Sequence, residues 1–183
     1  VKCMPEPKSG RLLAASADMM HFSGCRGRLL IDSCYFAGAQ DDAINIHGTN
    51  LKVVEKVSYN TLNMRFSHGQ SYGFQAYFTG DTVAFAKATT MERLSTASVH
   101  SVKRLSDRMW RVKFDREVPE WLEINHDCVE NLTYTPSVEI RNNYFTRTST
   151  RGTLVTTTRK VVIEKNTYYK VGMSAILIEG DAE

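Results

Sequence analysis

Residues 138–155 read VEIRNNYFTRTSTRGTLV, and the same layout recurs at residues 29–46, LLIDSCYFAGAQDDAINI, and at residues 161–178, VVIEKNTYYKVGMSAILI. Each stretch opens with a short apolar strand and ends in a second one, which begins eight residues after an aromatic residue. Repeats of roughly 20 to 30 residues built from short strands are typical of a solenoid, where each coil buries its apolar face against its neighbours. The pattern therefore predicts a parallel β-helix, with an ordinary β-sandwich as the alternative.

Asparagine recurs at one place in this repeat, as Asn143 and Asn166. Recurrence at a fixed position fits an internal ladder of amide side chains at a turn of the coil. The alternative interpretation is that asparagine is simply common in turns.

The repeat is interrupted between Leu51 and about Pro136. Alternating segments separated by turn residues predict strands at residues 51–57, 61–66, 74–78, 82–86, 98–103 and 109–114, with a helical turn at 91–94. About 85 residues of this kind predict a small antiparallel β-barrel or sandwich. We thus expect an all-β chain: β-helix coils at 1–50, an inserted barrel at 51–135, and resumed coils at 136–183.

Composition and charge exclude several classes of protein. The chain has 183 residues, is 42% hydrophobic and carries a net charge of +3, with its basic residues scattered along the sequence. A nucleic-acid-binding protein would show a basic stripe with interleaved aromatic residues, and none is present. No apolar run is long enough to span a bilayer, and the four cysteines have no zinc-like spacing. Because both ends of the chain lie within uncapped coils, we expect a fragment truncated on both sides.

Three acidic residues mark a candidate catalytic site. Asp41 and Asp42 precede the strand Ile44-Asn45-Ile46, and Asp18 lies 23 residues before Asp41, about one coil upstream. Coiling with that period would gather all three carboxylates on one surface, as acid/base hydrolysis of a glycosidic bond requires. Because adjacent strand residues face opposite sides, Asp41 and Asp42 can share a site only if a turn or bulge lies between them, which the preceding Gly38-Ala39-Gln40 favours. The alternative is a solvated Asp-Asp turn unrelated to Asp18.

Five other polar residues are candidates for sugar contacts. Asn45 alternates with Ile44 and Ile46 and so should face outward if the isoleucines face the core. The remaining candidates are His21, His47, Arg26 and Arg151. Either histidine could instead orient a carboxylate or be a satisfied structural residue. Arg26 could pair with an acid, and Arg151 could be an ordinary surface arginine.

Two stretches carry a specific family resemblance, residues 18–27, DMMHFSGCRG, and residues 41–49, DDAINIHGT, supported by residues 80–83, 151–157 and 175–178. They resemble glycoside hydrolase family 110, the bacterial exo-acting α-1,3-galactosidases, over essentially the whole chain. The resemblance implies a right-handed parallel β-helix with β-barrel insertions. It also implies inverting removal of terminal α-1,3-linked galactose from blood-group-B-type or linear glycans.

The family pattern falls on Asp18, Asp41 and Asp42. The trio also resembles the arrangement in polygalacturonases, and by that analogy Asp41 is the general acid while Asp18 with Asp42 activates water. An inverting pair of carboxyl groups is expected to stand roughly 6.5 to 9.5 Å apart, which leaves room for the attacking water.

Three alternatives remain at this stage. The first is a polygalacturonase-like hydrolase, and the second is a lyase that binds calcium through the three acids, although no lysine near them suggests a proton abstractor. The third is a non-catalytic glycan-binding β-helix. We expect no metal or other cofactor, no nucleic-acid partner, a glycan substrate and a homo-oligomer formed at coil ends. By resemblance, we expect the protein to act in the periplasm or outside the cell.

Overall fold

The computed structural model describes residues 1–180 and divides them into two compact units. The first, called here the parallel-sheet unit, comprises Val1–His47 and Thr135–Glu179. The second, called the barrel unit, comprises Gly48–Tyr134 and also takes in Gly180. Residues 181–183, the end of the third predicted segment, lie outside the described residues.

All regular elements among residues 1–180 are strands, numbered in chain order. They are β1 (Lys2–Cys3), β2 (Met20–Ser23), β3 (Arg28–Asp32), β4 (Tyr35–Ala37), β5 (Ile44–His47), β6 (Asn50–Ser58), β7 (Thr61–Arg65), β8 (Thr82–Ala86), β9 (Arg93–Arg104), β10 (Met109–Phe114), β11 (Cys128–Asn131), β12 (Ser137–Arg141), β13 (Tyr144–Thr148), β14 (Thr153–Thr156), β15 (Val161–Glu164), β16 (Thr167–Val171) and β17 (Ile176–Ile178). No helix in this part of the chain has the length and apolar character needed to cross a bilayer.

The parallel-sheet unit contains three parallel sheets, ordered β15-β12-β3, β1-β4-β13-β16 and β17-β14-β5-β2. The chain passes through these sheets in the same order three times, as β3-β4-β5, β12-β13-β14 and β15-β16-β17. Every pass therefore adds one strand to each sheet.

Backbone pairing confirms the alignment of the three repeated stretches. Val138 pairs with Leu29 on one side and Val161 on the other. Phe145 likewise pairs with Phe36 and Tyr168, and Thr153 with Ile44 and Ile176. The residues that recur in the sequence are thus the residues that hydrogen-bonded strands bring side by side.

The core of this unit follows from that register. The rings of Phe36 and Phe145 stack with centroids 5.0 Å apart, and those of Phe145 and Tyr168 with centroids 4.7 Å apart. Beside them, Ile44 and Ile46 are fully buried, so the residue between them faces the other side of the sheet. Stacked aromatic pairs contribute about 0.5–1.5 kcal/mol each beyond the burial of their surface.

The predicted asparagine ladder is present. Asn143 accepts a hydrogen bond from the Cys34 backbone N–H at 2.8 Å and donates to the Ile31 carbonyl at 3.0 Å. Asn166 repeats this role one pass later, accepting from the Asn143 backbone N–H at 2.9 Å and donating to the Ile140 carbonyl at 2.8 Å. Each amide therefore satisfies backbone groups where the chain turns from the first sheet to the second.

The residue before each ladder position adopts a left-handed backbone conformation. Ser33, Asn142 and Lys165 have φ of 55°, 56° and 55°. A non-glycine residue tolerates this conformation only where the surrounding contacts enforce it, and asparagine adopts it more readily than most. The corner is thus the same in all three passes although its residue differs.

The barrel unit is a closed antiparallel barrel with the strand order β10-β7-β6-β11-β8-β9. Its interior is filled by large apolar side chains, among them the fully buried Leu62, Met64, Tyr77 and Phe85. The alternating strands expected in this region therefore form a barrel, not a sandwich.

Three details of the sequence interpretation of this barrel are wrong. Residues 74–78 form no strand: Ala76 and Tyr77 are buried in an irregular segment, where the Ala76 carbonyl accepts from Asn131 and the Tyr77 hydroxyl donates to the Val129 carbonyl. The expected helical turn at 91–94 is absent, because Arg93 and Leu94 begin the long strand β9 and residues 91–92 precede it. Strand β11 was not predicted, because its buried Glu130 and Asn131 break the apolar pattern on which strand prediction depends.

We predict that Asn143→Ala destabilises the chain by about 2–5 kcal/mol, since the Cys34 N–H and the Ile31 carbonyl would each lose a partner, at about 1–3 kcal/mol apiece. Urea unfolding of the wild type and the variant measures the difference. Ser149→Ala, a substitution of an exposed polar residue in the same unit, is the control and should change stability by less than about 0.5 kcal/mol. Equal stability of Asn143→Ala and wild type would contradict a stabilising ladder.

Candidate active site

The three acids lie in loops that lead into adjacent strands of one sheet. Asp18 precedes β2, and Asp41 with Asp42 lies between β4 and β5. Since neither of the paired acids is in a strand, the alternation of strand side chains does not separate them. The required irregularity before β5 is therefore present.

The register of these strands aligns Asp18 with Asp42, and Asp42 with Arg151. Met20 pairs with Ile44, an offset of 24 residues, and Ile44 pairs with Thr153. The sequence spacing of 23 residues would have aligned Asp18 with Asp41, so this pass is one residue longer than the last pass, in which Thr153 pairs with Ile176. Arg151 lies at the matching position of the next pass.

The aligned residues Asp18, Asp42 and Arg151, called here the acidic row, share one repeated hydrogen-bond pattern. The backbone N–H of Asp42 donates to Asp18 Oδ1 at 3.0 Å, and the backbone N–H of Arg151 donates to Asp42 Oδ1 at 3.1 Å. Each carboxylate thus binds the main chain of the equivalent residue in the next pass. As a result, one oxygen from each of Asp18, Asp41 and Asp42 lies within 4.8 Å of the others.

This spacing is shorter than the sequence-based expectation. Carboxyl groups of inverting glycosidases stand roughly 6.5–9.5 Å apart and those of retaining enzymes about 5–5.5 Å apart. The 4.8 Å limit applies to the nearest oxygens of three acids, whereas those ranges describe pairs. Distance alone therefore does not assign the stereochemical course.

Asp42 is the buried member of the trio, with a side chain that is 1% exposed. Its Oδ1 accepts hydrogen bonds from the Thr150 hydroxyl at 2.7 Å and from Arg151 Nε at 2.7 Å, in addition to the Arg151 main chain. This buried carboxylate is thus paired with a guanidinium and two further donors, which offset the cost of its burial. In return, the hydrogen bond to Asp42 raises the pKa of Arg151.

Asp41 is the open member, with a side chain that is 52% exposed. Its Oδ1 lies 3.1 Å from Thr150 Oγ1 and 3.9 Å from Arg151 Nη2, and its other oxygen makes no hydrogen bond within residues 1–180. The Thr150 hydroxyl has one hydrogen, and its shorter contact directs that hydrogen to Asp42. Thr150 Oγ1 can then accept a hydrogen bond from Asp41 if Asp41 is protonated.

Asp18 is intermediate, with a side chain that is 10% exposed. Its Oδ2 accepts from Asn45 Nδ2 at 3.1 Å and lies 2.9 Å from His21 Nδ1, while its Oδ1 binds the Asp42 main chain. Both oxygens are therefore engaged, and every partner can donate. His21 in turn contacts His47 through their Nε2 atoms, 2.7 Å apart.

The other predicted site residues divide into two groups. Asn45 and His47 lie on the side of β5 opposite the buried isoleucines, next to the acids, and Arg151 binds Asp42. Asn45 Oδ1 is buried without a hydrogen-bond partner. Arg26 lies between β2 and β3, is exposed, and makes no hydrogen bond or ion pair with the acids in the part of the chain that the structure describes.

The acids form a group of oxygen ligands close enough together to hold a cation. Their present partners fit a different role, because Arg151 occupies the position of a counter-ion at Asp42 and both oxygens of Asp18 are engaged. A lyase would also need a proton acceptor. Arg151 is the basic residue at the site, but its raised pKa makes it a poorer acceptor.

Thr150 is the site residue that was absent from the sequence-based candidates. The signal was present in the aligned repeats, since Thr150-Arg151 stands at the position that Asp41-Asp42 occupies one pass earlier. Nothing in that alignment indicates that its hydroxyl bridges two carboxylates, because hydroxyl residues are common at turns.

Comparisons with known proteins agree with this geometry. Residues 61–129 match the family described as GLAA-B beta-barrel domain II. The chain is 73% identical over 183 residues to Alpha-1,3-galactosidase A of Bacteroides fragilis (strain YCH46), covering 100% of this chain and 30% of that protein. It is 42% identical over 178 residues to Alpha-1,3-galactosidase A of Bacteroides thetaiotaomicron, covering 97% and 31%.

The identity to Alpha-1,3-galactosidase B of Bacteroides thetaiotaomicron is 36% over 182 residues, covering 100% of this chain and 29% of that protein. The chain thus spans about a third of the length of these curated relatives. Among solved structures, the gp54 tailspike of Acinetobacter baumannii bacteriophage AP22 matches 92% of this chain and 38% of its own. Its 12% identity and TM-score of 0.27 are too low to carry an argument.

We predict that Arg151→Met lowers the stability of the chain by about 2–3 kcal/mol. This value lies between the cost of losing an exposed ion pair and that of leaving a fully buried charge unpaired. The double variant Asp42→Asn/Arg151→Met should recover part of the loss, because it leaves no unpaired charge. Urea unfolding of the wild type, Asp42→Asn, Arg151→Met and the double variant measures the coupling free energy between the two residues. Strictly additive losses of stability in the double variant would contradict a buried ion pair.

Proposed function

We propose a function from the premise that this chain belongs to glycoside hydrolase family 110, the α-1,3-galactosidases. The premise follows from 73% identity across the whole chain and from the matching barrel-domain family. Because the chain covers 30% of that relative, its activity is inferred for a protein of which these residues form a part.

The three parallel sheets of the first unit are proposed to be the three faces of a right-handed parallel β-helix. The ordered passes β3-β4-β5, β12-β13-β14 and β15-β16-β17 support this, as does the in-register stack of Phe36, Phe145 and Tyr168. On this proposal the barrel unit, Gly48–Tyr134, is an insertion between two coils.

The proposed reaction is hydrolysis of terminal α-1,3-linked galactose from a glycan by an inverting acid/base mechanism. The observation that carries it is the convergence of Asp18, Asp41 and Asp42, in three distinct environments, within 4.8 Å. Two acids in different protonation states are what glycoside hydrolysis requires. Inversion itself is proposed from the family resemblance, since the spacing of the acids does not assign it.

Asp41 is the proposed general acid. It is the most exposed of the three, has one unengaged oxygen and can donate to Thr150 when protonated. In the reaction, the bond between the anomeric carbon and the leaving oxygen breaks as the Asp41 proton passes to that oxygen.

Asp18, with Asp42, is the proposed water-activating group. Asp18 is the more accessible of the two, so it takes the proton from the water that attacks the anomeric carbon. Asp42 lies beside it, paired with Arg151. The carboxyl groups also face the positive charge that develops on the sugar ring in an oxocarbenium-like transition state.

Sugar contacts are proposed for residues that border the acids. The candidates are Asn45 and Arg151, which contact Asp18 and Asp42, whereas His47 contacts His21. His21 has both ring nitrogens engaged by protein groups, so orientation of Asp18 suits it better than sugar binding. Arg26 could reach a longer glycan from its exposed loop. By resemblance, the protein acts in the periplasm or outside the cell, and its coil ends favour a homo-oligomer.

We predict that Asp18→Asn, Asp41→Asn and Asp42→Asn each lower kcat by about 10²- to 10⁴-fold, the usual cost of losing a positioned acid or base. The assay protein is a chimera in which these residues replace the matching segment of Alpha-1,3-galactosidase A of Bacteroides fragilis. Galactose released from an α-1,3-linked digalactoside is measured.

Asp107→Asn is the matched control, because its side chain is 77% exposed on the barrel unit. Its kcat should stay within about twofold of the wild type, as expected for a surface substitution. Normal turnover by the Asp41→Asn chimera, with an unchanged melting temperature, would remove Asp41 from the mechanism.

The stereochemical course is tested separately. Proton NMR of the first turnovers should show β-galactose before mutarotation, because a single displacement inverts the α configuration. Release of α-galactose first would instead indicate a covalent intermediate on one of the three acids.

A further inference from the structure

We infer that His47 and His21 are positioning residues which orient the carboxylate of Asp18. The catalytic consequence rests on the proposed function, whereas the hydrogen-bonded pair itself does not. The chain of contacts runs from Asp18 Oδ2 to His21 Nδ1 at 2.9 Å and from His21 Nε2 to His47 Nε2 at 2.7 Å.

The protons in this chain can be counted. An ionised carboxylate only accepts hydrogen bonds, so His21 Nδ1 must carry a hydrogen when it binds Asp18. A neutral imidazole has one N–H, and the Nε2 of His21 is then a bare acceptor. The 2.7 Å contact between the two Nε2 atoms requires one hydrogen, and we assign that hydrogen to His47, with His21 as a neutral Nδ1–H imidazole.

His47 therefore selects the tautomer of His21. The hydrogen bond at one ring nitrogen of histidine decides which nitrogen carries the proton at the other. With His47 as donor, His21 is held in the Nδ1–H form that donates to Asp18. The same device orients the histidine ligands of metal sites, where loss of the outer partner costs about 10- to 100-fold.

The exposure of His21 shows why it needs a second anchor. Its side chain is 44% exposed, so packing alone would not fix the ring. The ring of His47 meets it edge-on, with centroids 4.9 Å apart and planes at 79°. Polar contacts at both ring nitrogens, together with this edge contact, fix the orientation of His21.

Other hydrogen bonds to Asp18 limit how far kcat should fall when the contact between the two histidines is lost. Asp18 also accepts from the Asp42 main chain and from Asn45, so it would not leave the site if the histidine pair were broken. Asp18 would lose one of the two partners of its Oδ2 atom, His21 Nδ1. A partial loss of kcat is therefore expected, smaller than that of Asp18→Asn.

The first test is NMR spectroscopy of the 183-residue chain labelled with ¹⁵N. His21 should show a protonated Nδ1 and a bare Nε2, and a scalar coupling should connect the Nε2 atoms of His21 and His47 across their hydrogen bond. An Nε2–H tautomer for His21, or no coupling in a folded sample, would overturn the pair.

The second test uses the galactosidase chimera with two variants of His47. The substitution His47→Gln keeps a side-chain N–H donor at a similar reach, and kcat should stay within about threefold of the wild type. His47→Leu removes the donor, and kcat should fall by about 10- to 100-fold with KM unchanged. His100→Leu, at an exposed position of the barrel unit, is the control.

The outcomes separate the alternatives. A rise in KM with unchanged kcat for His47→Leu would mean that His47 binds sugar, and equal losses in both His47 variants would mean a packing role; either result overturns the inference. A wild-type chimera that releases no galactose would refute the proposed function. The NMR result on the separate chain would still decide whether the histidine pair exists.

Discussion

The hydrogen bond from a carboxylate to the main chain of the next pass is the contact on which the site depends. Asp18 binds the N–H of Asp42, and Asp42 binds the N–H of Arg151. Both bonds exist only in one strand register, because a slip of one residue would turn every side chain of the sheet to its other face. The buried isoleucines of β5 and the aromatic stack keep that register, so the apolar core and the acidic site share one constraint.

The three acids Asp18, Asp41 and Asp42 are chemically alike but lie in three different environments. Asp42 is buried against a guanidinium, Asp18 is engaged at both oxygens, and Asp41 is half exposed with one free oxygen. Acid/base chemistry needs this kind of difference, since identical carboxylates would compete for one proton. Thr150 connects two of them, because its single hydroxyl hydrogen can serve only one acid at a time.

The barrel unit shows where local patterns mislead. Its strands β6, β7, β8 and β10 were expected near their actual bounds because they alternate apolar and polar residues. Strand β11 contains Glu130 and Asn131, which are buried and paired with Arg93 and Asp81. A strand of this kind shows no alternation of apolar and polar residues in the sequence. Its polar side chains can be buried because residues on other strands of the barrel unit pair with them.

The sequence by itself determined the repeat, the residues that stack between passes, the inserted all-β segment and the identity of the three acids, because these follow from periodicity and composition. Tertiary structure decided that Asp18 aligns with Asp42, that Thr150 joins the site, that Arg151 pairs with Asp42, and that His21 meets His47. The physical reason is that these contacts join side chains up to 109 residues apart in the chain, and their geometry depends on the length of each turn. One additional residue in a coil changes every partner, while the apolar pattern stays the same.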